Sequence, residues 1–151
     1  MPKTEPHSYT TLARVGRLLD RARAQLASAM DAEMAPFGLT GAQWTVVSAV
    51  ASGRADSAMQ ICHELSYDPG AMTRMIDRLA EKGILHRVTN REDRRAWRIM
   101  LTEHGRKIYP DLLGSSERVL TRLFGSFTAD ELGQLEEHLA RIHAAEPAAG
   151  A

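Results

Sequence analysis

Two short apolar-patterned stretches, Ser57 to Leu65 and Asp68 to Lys82, follow each other across a three-residue turn. Each opens on a helix-start signal. Ser57 with Gln60 has the form of a capping box, in which a hydroxyl and a side-chain amide satisfy free amides of the first turn. Asp68 before Pro69 sets an N-cap carboxylate ahead of a residue that has no amide hydrogen to lose. Ala58, Ile61, Cys62 and Leu65 make one apolar face, and Met72, Met75, Ile76 and Leu79 make another. Gly83 closes the second stretch, because glycine takes the left-handed cap conformation without a Cβ penalty. Helices this short are marginal alone in water, so both must pack on the rest of the chain. Tandem short helices at a tight turn narrow the architecture more than any other feature.

The flanking sequence completes the pattern. After Gly83, Ile84 to Thr89 and Ala96 to Leu101 favour strand, and the hydrophilic run from Asn90 to Arg95 joins them as a hairpin. Trp97, Ile99 and Leu101 alternate with Arg98 and Met100, which predicts one buried and one open face. By the same reading both tryptophans, Trp44 and Trp97, belong to the core. Upstream, Leu12, Val15, Leu19, Ala22, Leu26 and Ala29 form a narrow seam on a long helix that Pro36 and Gly38 end. Thr40 with Gln43 caps a second helix running to about Ala51. Downstream, Thr102 starts a long helix with Ile108, Leu112, Val119, Leu123 and Phe127 as inner positions and Pro110 as a point of bending. Thr128 with Glu131 caps the last helix, which carries Leu132, Leu135, Leu139 and Ile142.

The fold class is therefore mainly α with a small β-hairpin, and 151 residues make one domain. Two helices, a turn and a hairpin with a basic tip are the order of a winged helix-turn-helix. The division expected is a DNA-binding lobe over 39–102, flanked by dimerisation helices over 8–36 and 103–145. The two seams at opposite ends have little core to cover in so small a lobe, which favours a homodimer. The alternative is that they pack on each other within one subunit.

Net charge is zero, yet charge is unevenly spread. Ten Lys/Arg stand against six acids between Asp68 and Lys107, while the stretch from Thr128 onward is acidic. Such a chain binds phosphate at its basic segment while remaining neutral as a whole. The recognition helix of this architecture enters the major groove with its N-terminal residues leading, here Pro69, Gly70, Thr73 and Arg74. Gly70 leaves room for close approach, Thr73 offers a hydroxyl to phosphate, and Arg74 reaches phosphate or the guanine edge. Arg78 follows the flanking backbone. Arg91, Arg94 and Arg95 suit a minor groove, whose negative potential attracts guanidinium groups. The competing account of these arginines is ion pairing with Glu81, Glu92 and Asp93.

At this point the residues acquire a family likeness. The run Asp68 to Gly83 (DPGAMTRMIDRLAEKG), followed by Arg87, Asp93, Arg95, Leu101 and Thr102, resembles the MarR family of bacterial regulators. Leu39 to Trp44 extends the resemblance, which weakens before Leu12 and between Ser115 and Phe127. It implies a homodimeric, pseudo-palindrome-reading transcriptional regulator, with Thr73 and Arg74 in the major groove, Arg95 in the minor groove, and Asp93 orienting the wing. It also places Asp68 where it can pair with Arg95 in the absence of DNA. A repressor released by a small aromatic or phenolic ligand is the expectation, with His7, Arg14 and Trp44 as candidate ligand contacts. The alternatives are a redox-sensing regulator and a constitutive DNA binder with no effector.

Other functions find little footing. No apolar run approaches the ~18 residues that cross a bilayer, and no apolar leader opens the chain. The single cysteine suits a reducing compartment, so a cytoplasmic location is expected. Cys62, His63 and Glu64 point about 100° apart on a helix and cannot share one metal ion. No nucleophile elbow, phosphate-binding glycine loop or paired-histidine motif is present, so neither catalysis nor a cofactor is expected. Cys62 faces inward with Ile61 and Leu65 and reads as a small buried residue rather than a redox sensor.

Overall fold

The structure, a computed structural model, describes residues 8–91 and 97–145. In chain order it contains α1 (Tyr9–Met34), a 3-10 turn (Ala35–Phe37), α2 (Gly41–Ala51), α3 (Ala58–Leu65) and α4 (Pro69–Glu81). There follow β1 (Leu85–Thr89), β2 (Trp97–Leu101), α5 (Glu103–Phe124) and α6 (Ala129–Ala145). This is the mainly helical architecture with an antiparallel hairpin that the sequence predicts, β1 pairing with β2 from Leu85↔Leu101 to Thr89↔Trp97.

The helix starts follow from local chemistry. At α2 the Thr40 hydroxyl accepts from the Gln43 amide at 3.1 Å, and Gln43 Oε1 accepts from the Thr40 amide at 3.1 Å. The Thr128–Glu131 box is likewise reciprocal, at 3.2 and 2.8 Å. The expected box at Ser57 is only half formed. Its hydroxyl accepts from Gln60 at 3.2 Å, but the Gln60 side chain accepts from the Asp56 amide instead, at 3.0 Å. It reaches one residue further back because Asp56 lies against the hairpin, as described below. Helix α4 ends as predicted: Gly83 has φ 71°, and the Gly83 and Ile84 amides donate to Ala80 and Leu79 carbonyls at 2.9 and 3.0 Å.

The core gathers Met30 and Met34 of α1, Val46 and Val47 of α2, Ile61, Met72, Ile76 and Leu79. Leu39, Trp44, Ala55, Ile84, Leu85, Ile99, Leu101, Leu112 and Val119 complete it. Burying each such side chain contributes about 1.5–3 kcal/mol. Met72, Ile76 and Leu79 together therefore outweigh the poor intrinsic helix propensity of a segment that begins Pro-Gly and includes Thr73. Trp44 is buried, donates its indole N–H to Ser116 Oγ at 3.1 Å, and stacks on Tyr109 with ring centroids 5.8 Å apart. That contact joins α2 to α5 and places the helix-turn-helix against the long helix.

Several expected core residues lie outside it. Trp97 is 56% exposed although Ile99, two residues on, is 2% exposed. The strand leaves the core between them, so the alternation continues after its burial has stopped. Phe127, beyond the end of α5, is also exposed. The seams of α1 and α6 remain open in the single chain: Leu12 is 53% and Leu139 41% exposed, with Val15, Leu19, Leu132 and Ile142, and Leu18 beside the α1 seam, similarly uncovered. Helix α1 touches the core only through its C-terminal part, where Leu26, Ala29, Met30 and Met34 pack.

Candidate nucleic-acid interface

Helix α4 presents one face to the core and the other to solvent. Asp68 Oδ2 accepts from the Ala71 amide at 2.8 Å, which fixes the helix start and leaves Pro69 at the first helical position. Asp68, Pro69, Gly70, Thr73, Arg74 and Arg78 are all exposed. A Cβ on Gly70 would stand 3.2 Å from Asp68 Oδ2 and 3.6 Å from Arg74 Nη1, so this glycine keeps open the space over which both charged groups lie. The Thr73 hydroxyl donates to the Pro69 carbonyl at 2.9 Å. Donation to a phosphate therefore requires that bond to be given up, while the oxygen already stands at the surface.

Ion pairing separates the arginines into two groups. Arg87 pairs with Asp77 at 2.7 Å, Arg54 with Glu64 at 2.8 Å, and Arg98 with Asp56 at 2.7 Å. Arg74, Arg78 and Arg91 form no salt bridge among the described residues, and Glu81 is not a partner to Arg78. Within the helix-turn-helix and hairpin, the guanidinium groups without a salt bridge among the described residues are those on the exposed face of α4 and at the start of the hairpin tip. On the long helices Arg14, Arg17, Arg21, Arg106, Arg122 and Arg141 are also without one among the described residues. Asp93, Arg94 and Arg95, expected to shape the wing, lie outside the described residues, and with them the expected Asp68–Arg95 pair.

The supports of this face come from residues far apart in sequence. Arg98 donates from Nε at 2.8 Å and from Nη2 at 2.7 Å to one Asp56 oxygen, and the Ile99 amide donates to the Asp56 carbonyl at 2.6 Å. The hairpin is thereby tied to the turn before α3. At the other end, Lys82 Nζ donates to the Gly38 carbonyl and, at 3.2 Å, to Gln43 Oε1. Between α3 and α4, Ser66 takes the left-handed conformation at φ 52°, uncommon for a residue other than glycine, asparagine or aspartate. Asp56, Arg98 and Lys82 carry no local signal of these roles, since their partners lie 39 to 44 residues away.

The candidate ligand contacts are not brought together. His7 lies outside the described residues. Arg14 is exposed on α1, about 24 Å of helix rise before Met30, the residue against which Gly41 packs. Trp44 is enclosed by Ser116 and Tyr109. A separate cleft runs between the end of α2, β2 and the start of α5, with Val50, Ile99, Leu101, Arg98, Arg106 and Tyr109 among its walls. Cys62 is a free, partly buried thiol that packs on the core. Burial pushes its pKa up, and the Asp68 charge adds to the shift. Among the described residues no group of three or more His, Cys, Asp or Glu could hold a metal ion, and no helix is long and apolar enough to cross a membrane.

Comparison with known proteins bears on the same lobe. The MarR family model matches residues 37–96. The multiple antibiotic resistance protein MarR of Escherichia coli (strain K12) is 28% identical over 144 residues, covering 93% of this chain and 98% of that protein. Among solved structures, a cysteine-to-serine mutant of E. coli MarR complexed with operator DNA superposes with TM-score 0.78 at 27% identity, covering 91% of this chain and 99% of that one. CouR from Rhodococcus jostii RHA1, solved with p-coumaroyl-CoA, gives TM-score 0.79 over 85% of this chain and 90% of that one. At 23% identity that likeness concerns the fold alone.

Proposed function

We propose, on the premise that this chain belongs to the MarR family and is a DNA-binding transcriptional regulator, that it acts as a homodimeric repressor of a pseudo-palindromic operator. The observation that carries the reading is the exposed face of α4, with Gly70, Thr73, Arg74 and Arg78 displayed and both guanidinium groups unpaired. An unpaired arginine loses no salt bridge when it meets a phosphate or a guanine edge, whereas Arg87 and Arg98 would. Arg74 reads or anchors the major groove, Thr73 and Arg78 hold phosphates, and the wing, from Arg91 through Arg95, follows the minor groove. The open seams on α1 and α6 support the dimer, since a second copy offers the same two seams in return.

Release by a small ligand has its support in the cleft between α2, β2 and α5. Apolar walls from Val50, Ile99, Leu101 and Tyr109, with Arg106 as a cation among the lining residues, suit a small aromatic acid. A ligand there would bear on β2, and through β2 on the wing. Tested against a panel of aromatic acids, a constitutive binder would keep its DNA affinity throughout.

The direct test starts from genomic fragments selected by the protein and measures binding of the recovered site by fluorescence anisotropy. Arg74→Ala is expected to weaken binding by about 1–3 kcal/mol if the side chain reads a guanine, and to relax preference at that base pair. Wild-type affinity in Arg74→Ala would overturn the assignment of α4 as the recognition helix.

A further inference from the structure

Trp97 is a large aromatic side chain that the hairpin carries out of the core, and its surroundings say what it meets. Directly opposed residues of an antiparallel pair share one face of the sheet. Leu85↔Leu101, Arg87↔Ile99 and Thr89↔Trp97 therefore lie along a single face, the first buried and the last open. Midway along that face Arg87 is bonded to Asp77 of α4 at 2.7 Å. Asp77 stands one helical turn after Thr73 and Arg74, so its side chain neighbours theirs on the helix surface. The face bearing Trp97 thus abuts the flank of the helix surface that carries Thr73 and Arg74.

Trp97 also lines a polar groove between the hairpin and the first turn of α3, shared with Ser57, Gln60, Thr89, Arg91 and the Arg98–Asp56 ion pair, whose carboxylate is already neutralised by Arg98. Arg91 at this groove and Arg74 and Arg78 on α4 have no acidic partner among the described residues. An exposed indole ring that shares a groove with the unpaired Arg91, on a sheet face that reaches the flank of α4, is matched to a ligand that alternates anionic and apolar parts. A sugar–phosphate strand does so at every nucleotide.

We infer that Trp97 belongs to the DNA-contacting surface, its ring packing on the deoxyribose of one strand of the operator where that strand passes between α4 and the wing. The inference rests on the DNA-binding function proposed above. It extends the interface to a residue whose contribution is apolar and independent of counterion release.

The protein carries its own reporter. Trp44 is 5% exposed and hydrogen-bonded, while Trp97 is open, so acrylamide quenching of the intact protein reads mainly Trp97. Saturation with operator duplex is expected to protect that emission, and the protected fraction should vanish in Trp97→Phe. Trp97→Ala is expected to weaken operator binding about tenfold, the order of one aromatic contact. The slope of log affinity against log salt and the melting temperature should both stay at their wild-type values. Trp97→Phe should recover most of the affinity, because a ring remains. Full quenching of Trp97 in the saturated complex overturns the inference, as does wild-type affinity in Trp97→Ala or a loss that tracks a lowered melting temperature. If the wild-type protein binds no duplex at all, the proposed function fails and this inference with it. Normal binding with an unprotected Trp97 removes this inference alone.

Discussion

Single residues differ here in what surrounds the same chemical group. Cys62 shares a helix with the exposed His63 and Glu64, yet its thiol packs on the core and burial, aided by the Asp68 charge, disfavours the thiolate. The thiolate is the reactive species, so a raised pKa lowers reactivity at neutral pH. Ellman's reagent should modify Cys62 in the folded protein more slowly than a free cysteine at about pH 7.5, with the difference lost in denaturant. As pH rises past the free-thiol range, the folded protein should gain reactivity later than the free thiol does. A rate equal to that of free cysteine would mean that the thiol is not packed as described, and would reopen the redox reading. Trp44 and Trp97 make the same point with an aromatic: one is bonded and stacked within the core, the other lies on the hairpin beyond it.

Among the elements, α5 meets the hairpin at a contact with no spare room. A Cβ on Gly105 would come within 2.3 Å of the Ile84 carbonyl oxygen, and that carbonyl already accepts from the Thr102 amide at 3.0 Å. Neither backbone can retreat without breaking the N-cap of α5. Gly105→Ala should therefore destabilise the fold by about 1–3 kcal/mol in urea unfolding, despite the better helix propensity of alanine. Gly133→Ala in α6, where nothing lies within 4 Å, is the matched control and should stabilise by about 0.5–1 kcal/mol. Element boundaries were legible in the sequence because caps are local: Thr40 with Gln43, Asp68 with Pro69 and Thr128 with Glu131 all act within four residues. Helix α4 and its exposed face were legible for the same reason. The ties that aim the site were not, because Arg98–Asp56 and Trp44–Ser116 span forty-two and seventy-two residues. Trp97 was misplaced because alternation tells which face a residue occupies but not where the core beneath that face ends.

For the whole molecule, the proposed dimer rests on the two open seams. Leu12, Val15 and Leu18 on α1 and Leu132, Leu139 and Ile142 on α6 leave an apolar surface at both ends of the chain, more than isolated exposed residues require. Leu139→Glu and Leu12→Glu should each shift the protein towards monomer in light scattering, and each should cost operator affinity although neither lies near α4. A variant that stays dimeric and binds normally would show that the seam is not the interface. The tether from Lys82 to the Gly38 carbonyl and Gln43 has a mechanical meaning for such a pair. It makes the C-terminal end of α4 a pivot, with Gly70 about 18 Å out along the arm. A tilt of about 10° about that pivot swings the leading residues by about 3 Å, close to the ~3.4 Å step between base pairs. In the proposed dimer, leverage of this kind would let a tilt of about 10° at the pinned end misalign both half-sites at once.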